Sequence, residues 1–140
     1  MLPQSAKDIV TSKTLAHLVT IAPDGSPRVT VAWTGLDDDG DIAIATLPNQ
    51  AKLADIRRDP RVAVTFITDV TNPMGLQEYL VVYGTARITE GSAPELLQEL
   101  ASIYIGPGVI FPPIPDPPPG YITHIRPERL GGVGPWISDG

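Results

Sequence analysis

The sequence predicts a mostly β protein whose strands pair antiparallel and curl into a closed or split barrel. Apolar, β-branched runs recur along the chain and are separated by turn signals such as Pro23-Asp24-Gly25-Ser26. Few segments have helical spacing, and they stand between hairpins rather than between all successive strands. This order disfavours a parallel doubly wound sheet, which alternates strands with helices. With 140 residues, the chain is expected to form a single α+β domain over residues 1–140.

The first third of the chain is predicted to hold one helix and two hairpins. Ser5–Ser12 has the pattern of a short helix that Ser5 caps, with Ile9 and Val10 facing inward. Strands are expected over 15–22 and 29–33, on either side of the turn at 23–26. The acidic cluster Asp37–Asp41 then closes a second hairpin into the strand "DIAIATLP".

The middle of the chain is predicted to form a helix followed by two strands. The helix begins at Pro48-Asn49, because the Asn49 side chain is a good N-cap, and ends at Asp59-Pro60, because a residue before proline avoids the α conformation. Arg61–Thr68 is an apolar, β-branched strand, and a loop is expected at Asp69–Gly75. The run "EYLVVYGTARITEG" predicts a long strand with a bulge or bend at Gly84.

The last third is predicted to contain a helix, a proline-rich loop and one or two strands. Pro94–Ile105 keeps leucine and isoleucine at helical spacing. Seven of the fifteen residues in Gly106–Gly120 are proline, so this segment cannot form regular helix or strand. It is either a stiff surface loop or a loop that acts as a lid or subunit contact. The stretch from Tyr121 is expected to form a strand, a turn at Arg126–Arg129 and a further strand.

Composition excludes several classes of function. The chain has no cysteine, which rules out disulfides, thiol catalysis and zinc-thiolate sites. A net charge of −6 argues against general nucleic-acid binding. The first residues lack the features of a signal peptide, and no apolar run approaches the length of a membrane span. A cytoplasmic protein is therefore expected.

No side-chain set in the sequence has the pattern of a reaction centre, and catalytic residues cannot be assigned. His17 and His124 lie in apolar strands without a carboxylate at ligand spacing, which indicates packing rather than metal binding. The cluster Asp37–Asp41 lacks the later ligands of a calcium loop and is expected to be a turn. Nucleophile elbows, Walker loops and dinucleotide-binding glycine patterns are absent from the sequence. If the protein is an enzyme, a cofactor is expected to carry the chemistry.

One basic stretch stands out in this acidic chain. Lys52, Arg57, Arg58 and Arg61 are four of the ten basic residues. The simplest interpretation of this basic stretch is a helix face exposed to solvent. The alternative is an anion site, because the start of the helix offers free N–H groups and the positive end of its dipole, with Lys52 in the first turn. Arg28 is expected on a strand beside this helix.

Three segments resemble the pyridoxamine 5′-phosphate oxidase-like superfamily: "DGSPRVTVAW", "DIAIATLPNQAKLADIRRDPRVAVTF" and "VVYGTARI". The similarity runs from about Leu15 to Arg129, and the basic spacing at Lys52–Arg61 is its most specific part. More specifically, the chain resembles the actinobacterial flavin/deazaflavin oxidoreductases, many of which use coenzyme F-420. The resemblance implies a six-stranded antiparallel split β-barrel of the FMN-binding type with flanking short helices. It also implies a homodimer whose two cofactor sites lie in grooves between the subunits.

The resemblance implies a set of cofactor-binding residues. Those on the strand after the first hairpin line the cofactor, those at the end of the third strand contact it by backbone and hydroxyl groups, and those at the helix start hold its phosphate. Two arginines further along the helix approach its anionic tail or face solvent or an acidic neighbour, and three residues approach from the partner subunit. In that order, the residues are Arg28, Val29, Thr30 and Val31; Ala45 and Thr46; Gln50, Ala51 and Lys52; Arg57 and Arg58; and Glu78, Tyr79 and Trp136.

The resemblance implies a hydride-transferring reductase that uses coenzyme F-420. Reduced F-420 donates a hydride to a small conjugated acceptor such as an enone, imine or quinone-like compound, and the proton comes from Tyr79, Tyr83 or solvent. The basic groove has more positive charge than the single phosphate of FMN needs, which favours F-420, whereas Gln50 stands where a basic residue would strengthen phosphate binding. The alternatives are an FMN-dependent oxidoreductase of the same fold, with haem as a further family cofactor, and a non-catalytic flavin- or deazaflavin-binding protein.

Overall fold

A computed structural model describes residues 1–47 and 50–139. Most of the described residues belong to one sheet, and short helices pack around it. In chain order the elements are α1 (Gln4–Val10), β1 (Ala16–Ile21), β2 (Pro27–Ala32), β3 (Gly35–Leu36), β4 (Ile42–Thr46), α2 (Ala51–Arg58), β5 (Arg61–Thr71), β6 (Gln77–Glu90), α3 (Ala93–Tyr104), β7 (Tyr121–Val133) and α4 (Trp136–Asp139).

The seven strands form one curled antiparallel half-barrel in the order β2-β1-β5-β6-β7-β4-β3. This confirms the predicted mostly β split-barrel fold. The seventh strand is β3, whose two residues pair with Ala43 and Ile42 of β4. The acidic turn before β4 is therefore the end of a short hairpin, as predicted, and the strand count exceeds the expected six by that hairpin arm.

The core lies on the concave face of the sheet. Burial alternates along β5 and β6, so that Val64 and Phe66 face inward beside Leu80 and Val82. This period of two follows from the pleat of a strand, in which successive side chains point to opposite faces. Trp136 of α4 joins the same apolar cluster.

Two boundaries near turns differ from the sequence-based predictions. Helix α1 begins at Gln4 with Pro3 at the N-cap position, so Ser5 lies inside the helix instead of capping it. Strand β5 continues to Thr71 where a loop was expected from Asp69. The turn that follows is held by Asn72, whose side-chain oxygen accepts hydrogen bonds from the N–H groups of Met74 and Leu76, each at 3.0 Å.

The predicted turn at Arg126–Arg129 is wrong, because β7 runs without a break through these residues. Tyr83 pairs with Arg129 and Gly84 pairs with Pro127, which leaves Glu128 as the extra residue of a β-bulge. The prediction of a bulge at Gly84 is thus confirmed. Glycine is required there because a Cβ atom would overlap the carbonyl group of Arg126. Pro127 is tolerated at the bulge because the ladder is interrupted beside it.

The remaining helical predictions agree with the structure to within a few residues. Helix α2 starts at Ala51 with Gln50 at the N-cap, and the predicted cap Asn49 lies outside the described residues. Helix α3 is shifted by one residue from the predicted range. The segment 106–120 contains no helix or strand, as its prolines predicted. In the described part of the chain, no helix is long and apolar enough to span a membrane.

Candidate functional site

A cleft of about 280 Å³ opens where the end of β2, the end of β4 and the start of α2 come together. Helix α3 and the proline-rich loop close its other side. Most of its lining is apolar, and its two polar side chains both come from the start of α2. The lining residues are Leu15, Val31, Ala32, Trp33, Ala45, Gln50, Lys52, Leu97, Leu100 and Phe111.

Lys52 is the cation of this cleft. Its side chain is only 5% exposed, and burial lowers the pKa of its ammonium group below the ordinary 10.5. Within residues 1–47 and 50–139, no ion pair or hydrogen bond satisfies this group. It stands in the first turn of α2, where backbone N–H groups have no partner within the helix. A buried cation in the first turn of a helix is a favourable place for an anion.

Two of the other predicted cations, Arg28 and Arg58, form ion pairs with Asp55, a residue that the sequence did not single out. Asp55 is 1% exposed and lies on the face of α2 that packs against the sheet. Its carboxylate accepts hydrogen bonds from Arg28 Nε at 2.6 Å, Thr20 Oγ1 at 2.8 Å and Arg58 Nη2 at 3.3 Å. Burial alone would raise the pKa of Asp55, but these hydrogen bonds together lower it. Asp55 therefore fastens α2 to the sheet.

The arginines that were predicted to form one basic face have different partners in the structure. Arg28 and Arg58 both pair with Asp55, and Arg58 also donates to the carbonyl of Ile21. Arg57 points elsewhere, with its guanidinium 5.1 Å from the centre of the Tyr121 ring. Of the four cations assigned to the cofactor, the cleft lining includes Lys52 alone. A carboxylate on the buried stripe of a helix, next to a basic strand residue, was the signal that could have found this cluster.

The structure brings four predicted cofactor residues together in the cleft, namely Val31, Ala45, Gln50 and Lys52. Thr30 and Thr46 are sequence neighbours of the lining residues Val31 and Ala45, but their own side chains do not line the cleft. Both have a buried hydroxyl oxygen with no hydrogen-bond partner among the described residues. Val29 and Ala51 are exposed and also lie off the lining.

The three residues expected to approach from a partner subunit lie away from the cleft of their own protomer. Tyr79 is exposed on the convex face of β6, and Glu78 is half-buried beside it. Trp136 is 1% exposed, and its indole N–H donates to the carbonyl of Gly131 at 3.1 Å. The structure thus places Trp136 in the core of its own protomer, where it presents almost no surface to a partner.

An aromatic cluster at the cleft was also missed. Trp33 stacks on Tyr104 with ring centroids 5.3 Å apart, and Phe111 of the proline-rich loop lies tilted against Trp33 at 5.2 Å. Offset-stacked and tilted ring pairs are the favoured arrangements of aromatic side chains. These residues are far apart in sequence, and Tyr104 and Phe111 lie outside the segments that carry the family resemblance, so no motif marked the cluster.

His124 has partners that its sequence context did not suggest. Its Nδ1 lies 2.7 Å from Asp37 Oδ2, and its Nε2 lies 2.9 Å from Thr89 Oγ1. The sequence did not indicate this carboxylate partner, because Asp37 is brought to His124 by the pairing of β3 with β4 and of β4 with β7. Asp37 also accepts hydrogen bonds from the N–H groups of Asp39 and Asp41, each at 2.9 Å, so the acidic cluster is a turn as predicted.

Comparison with known proteins identifies a match over nearly the whole chain. The family model described as pyridoxamine 5′-phosphate oxidase matches residues 2–134. No curated protein sequence matches the chain.

Several solved structures share the fold. One described as "F420 Reductase" is 24% identical, with a TM-score of 0.68 over 89% of this chain and 94% of that chain. The conserved hypothetical protein Rv2991 from Mycobacterium tuberculosis is 24% identical, with a TM-score of 0.71 over 99% of this chain and 88% of that chain. HutZ, described as the haem storage protein of Vibrio cholerae, is 14% identical, with a TM-score of 0.62 over 91% of each chain. At these identities the likeness establishes a shared fold.

Proposed function

This chain belongs to the pyridoxamine 5′-phosphate oxidase family, and on that premise we propose that it is an oxidoreductase that binds coenzyme F-420 in the cleft at the start of α2. In this proposal the deazaflavin takes part in hydride transfer to a small conjugated acceptor. The observation that carries the proposal is the buried ammonium group of Lys52 at the start of a helix. A phosphate would supply the negative charge that this group lacks in the described chain.

The residues around Lys52 fit a phosphate-bearing ring cofactor. Burial of a cation without a partner is costly, and its lowered pKa reflects that cost. An anion bound at Lys52, at the positive end of the α2 dipole, would offset it. The rest of the cleft lining is apolar and suits a flat ring system. Val31 and Ala45 would then contact the ring, while Gln50 and Lys52 would hold the phosphate.

The choice between F-420 and FMN depends on the arginines of α2 and β2. F-420 carries a longer anionic tail than FMN. Support for F-420 comes from Arg57, which is exposed on α2, and from the likeness of the fold to a structure described as an F420 reductase. FMN is the second candidate, because Arg28 and Arg58 are already paired with Asp55, and the single cation Lys52 suits a single phosphate.

Haem binding has weaker support at this cleft. A haem iron is commonly held by a histidine side chain. Among the described residues that line the cleft there is no histidine, and His124 is already bonded to Asp37 and Thr89. Haemin therefore serves as a comparison ligand in the test below.

The chemistry follows from what the cleft residues can do. Gln50 and Lys52 would hold the cofactor, which when bound would supply a hydride to an electrophilic carbon of the acceptor, and solvent would supply the proton of the reduced product. The apolar lining would limit water at the reacting atoms once a second subunit covers the cleft, and the start of α2 would orient the cofactor. The described lining includes no acid or base apart from Lys52.

We also propose that the protein is a homodimer that pairs through the convex face of the sheet. Cross-strand register places Val29, Val31, Ile67, Tyr79 and Tyr83 on this face, and all five are exposed. Val31 also lines the cleft, so the cleft opens directly onto the apolar face. A volume of about 280 Å³ is at the small end of the range for ligand pockets, which is about 300–1,000 Å³. A second subunit on this face would enlarge and close the site.

The direct test is a set of binding titrations with purified protein. F-420, FMN and haemin are each titrated and followed by fluorescence or absorbance. The proposal expects F-420 to bind most tightly, and it expects reduced F-420 to be oxidised when a panel of enones, imines and quinones is added. Tighter binding of FMN would establish the second candidate. Binding of F-420 without turnover of any acceptor would favour a non-catalytic binding protein.

The replacement Arg57→Met separates the two flavin-type cofactors. If the anionic tail of F-420 runs along α2, loss of Arg57 weakens F-420 binding and leaves FMN binding unchanged. The matched control is Arg61→Met, because Arg61 lies in the same basic stretch but pairs with Asp59 at 2.7 Å. Equal effects of both replacements on F-420 would indicate a general charge effect and would contradict a specific contact with the tail.

A further inference from the structure

One wall of the cleft is aromatic. Trp33 and Phe111 both line the cleft and contact each other, with ring planes at 53°. Tyr104 covers one side of Trp33, with ring planes at 14°. The Tyr104 hydroxyl is fixed from two sides, since it donates to the carbonyl of Thr14 at 3.0 Å and accepts from the N–H of Thr34 at 3.1 Å. Trp33 therefore has a rigid support.

Phe111 is held in this wall by a side chain of α3. The Gln98 amide donates from Nε2 to the carbonyl of Val109 at 2.7 Å, and its Oε1 accepts from the N–H of Phe111 at 2.9 Å. The nitrogen and the oxygen of the Gln98 amide thus bond to the backbone on either side of Ile110. Because the loop 106–120 has no helix or strand of its own, a clamp of this kind fixes where the Phe111 ring lies.

We propose that Gln98 is a positioning residue that holds Phe111 beside Trp33, and that this wall selects flat, uncharged, conjugated molecules as acceptors. The proposal rests on the proposed function, because it takes the cleft as the redox site. Planar rings gain from stacking on aromatic side chains, whereas saturated rings of the same size do not. The side chains on this side of the cleft carry no charge, so charged acceptors would lose their hydration there without compensation.

Binding measurements on two matched probes test the selection without requiring a cofactor. The flat probe is 1,4-naphthoquinone, and the other is its fully saturated bicyclic dione. Both are titrated into the protein by calorimetry. The chain has no cysteine, so the quinone cannot form thiol adducts. We expect the flat probe to bind about tenfold more tightly in the wild type, the amount that an aromatic contact typically supplies.

The replacement Gln98→Met keeps the length of the side chain and removes both hydrogen bonds. We expect it to reduce the preference for the flat probe to about twofold, because two hydrogen bonds of ordinary strength no longer fix the loop. Glu99→Met is the matched control, since it places the same side chain one residue later on an exposed position of α3. An unchanged preference in Gln98→Met would overturn the proposal.

A second pair of variants keeps the test decisive if Gln98→Met does not fold. Phe111→Leu removes the ring and should lose the preference, whereas Phe111→Tyr keeps the ring and should retain it. If both retain it, the wall does not select flat molecules. A cofactor titration on the same samples separates the two hypotheses. If the wild type binds the cofactor but does not prefer the flat probe, the selection of flat molecules by the wall is refuted and the proposed function is not. If it prefers the flat probe but binds no cofactor, the proposed function is refuted and the selection by the wall is not.

Discussion

Replacing Lys52 by methionine is the sharpest test of the site. The change removes the only charge among the described cleft-lining residues and keeps most of the length of the side chain. A hydrogen bond to a charged group contributes about 1.5–3 kcal/mol. Loss of that contact to a phosphate should weaken cofactor binding about 10- to 150-fold. Fluorescence titration of the cofactor measures the change in Kd. Arg61→Met should leave Kd within about twofold, because an exposed ion pair contributes little.

The same replacement has a second, opposite effect on the free protein. Burial holds the pKa of Lys52 below 10.5, so in the pH range between that lowered value and 10.5 the unfolded chain binds more protons than the folded one. The stability that the wild type gains from this group therefore rises with pH across that range. Lys52→Met lacks the burial cost and should be at least as stable as the wild type at neutral pH. Thermal unfolding of both proteins between neutral pH and 10.5 measures this difference.

Two results would refute this reasoning about Lys52. One is a cofactor Kd unchanged by Lys52→Met in a protein that binds the cofactor, since the phosphate would then bind elsewhere. The other is a large loss of stability in Lys52→Met, since that would mean that the ammonium group has a stabilising partner in the free protein.

Three further replacements test the fold and the assembly. Asp55→Asn should lower the free energy of unfolding by about 1–3 kcal/mol at neutral pH, because the charge-assisted bonds of the buried carboxylate are lost while its arginine partners stay in contact with water. Because the pKa of Asp55 is lowered from 3.8, the difference in stability between the wild type and this variant should shrink as the pH falls below 3.8, as urea unfolding can measure. Gly84→Ala should destabilise the protein by about 1–3 kcal/mol in the same assay, because its Cβ overlaps the Arg126 carbonyl, and a neutral result would contradict the bulge. Ile67→Lys, at a side chain 53% exposed on the convex face, should leave the stability of the protomer nearly unchanged and yield a monomer in light scattering; an intact dimer would place the interface elsewhere.

The fold could be predicted largely because periodicity and turn chemistry are local. The hairpin turns, the proline-rich loop and the bulge at Gly84 each depend on a few neighbouring residues, and the structure has all of them. The turn predicted at Arg126–Arg129 was wrong for a non-local reason. Proline and charged residues resemble a turn in the sequence, but the close approach of Gly84 on the neighbouring strand lets β7 continue past them.

The candidate site was only partly predictable for the same reason. Lys52 was singled out because a cation in the first turn of a helix is a local signal for an anion site, and Gln50 was implied by the family resemblance. Asp55 was missed, since its role depends on a strand residue 27 positions earlier, Arg28. The wall of Trp33 and Phe111 was missed because it joins the end of a strand to a loop without regular structure. Contacts of this kind are set by the tertiary fold and leave no spacing in the sequence.

The unequal connections of β6 have a consequence for the order in which the sheet assembles. β6 joins β5 through the short turn of residues 72–76, but it meets β7 only after the chain has passed through residues 91–120. By loop length alone, closing the longer connection costs about 1.5 kcal/mol more in chain entropy. Folding should therefore begin with the β5–β6 hairpin, and β7 should dock late, in the transition state or after it. Since β7 links β4 to the rest of the sheet, the wall of the cleft that contains Ala45 would be completed last.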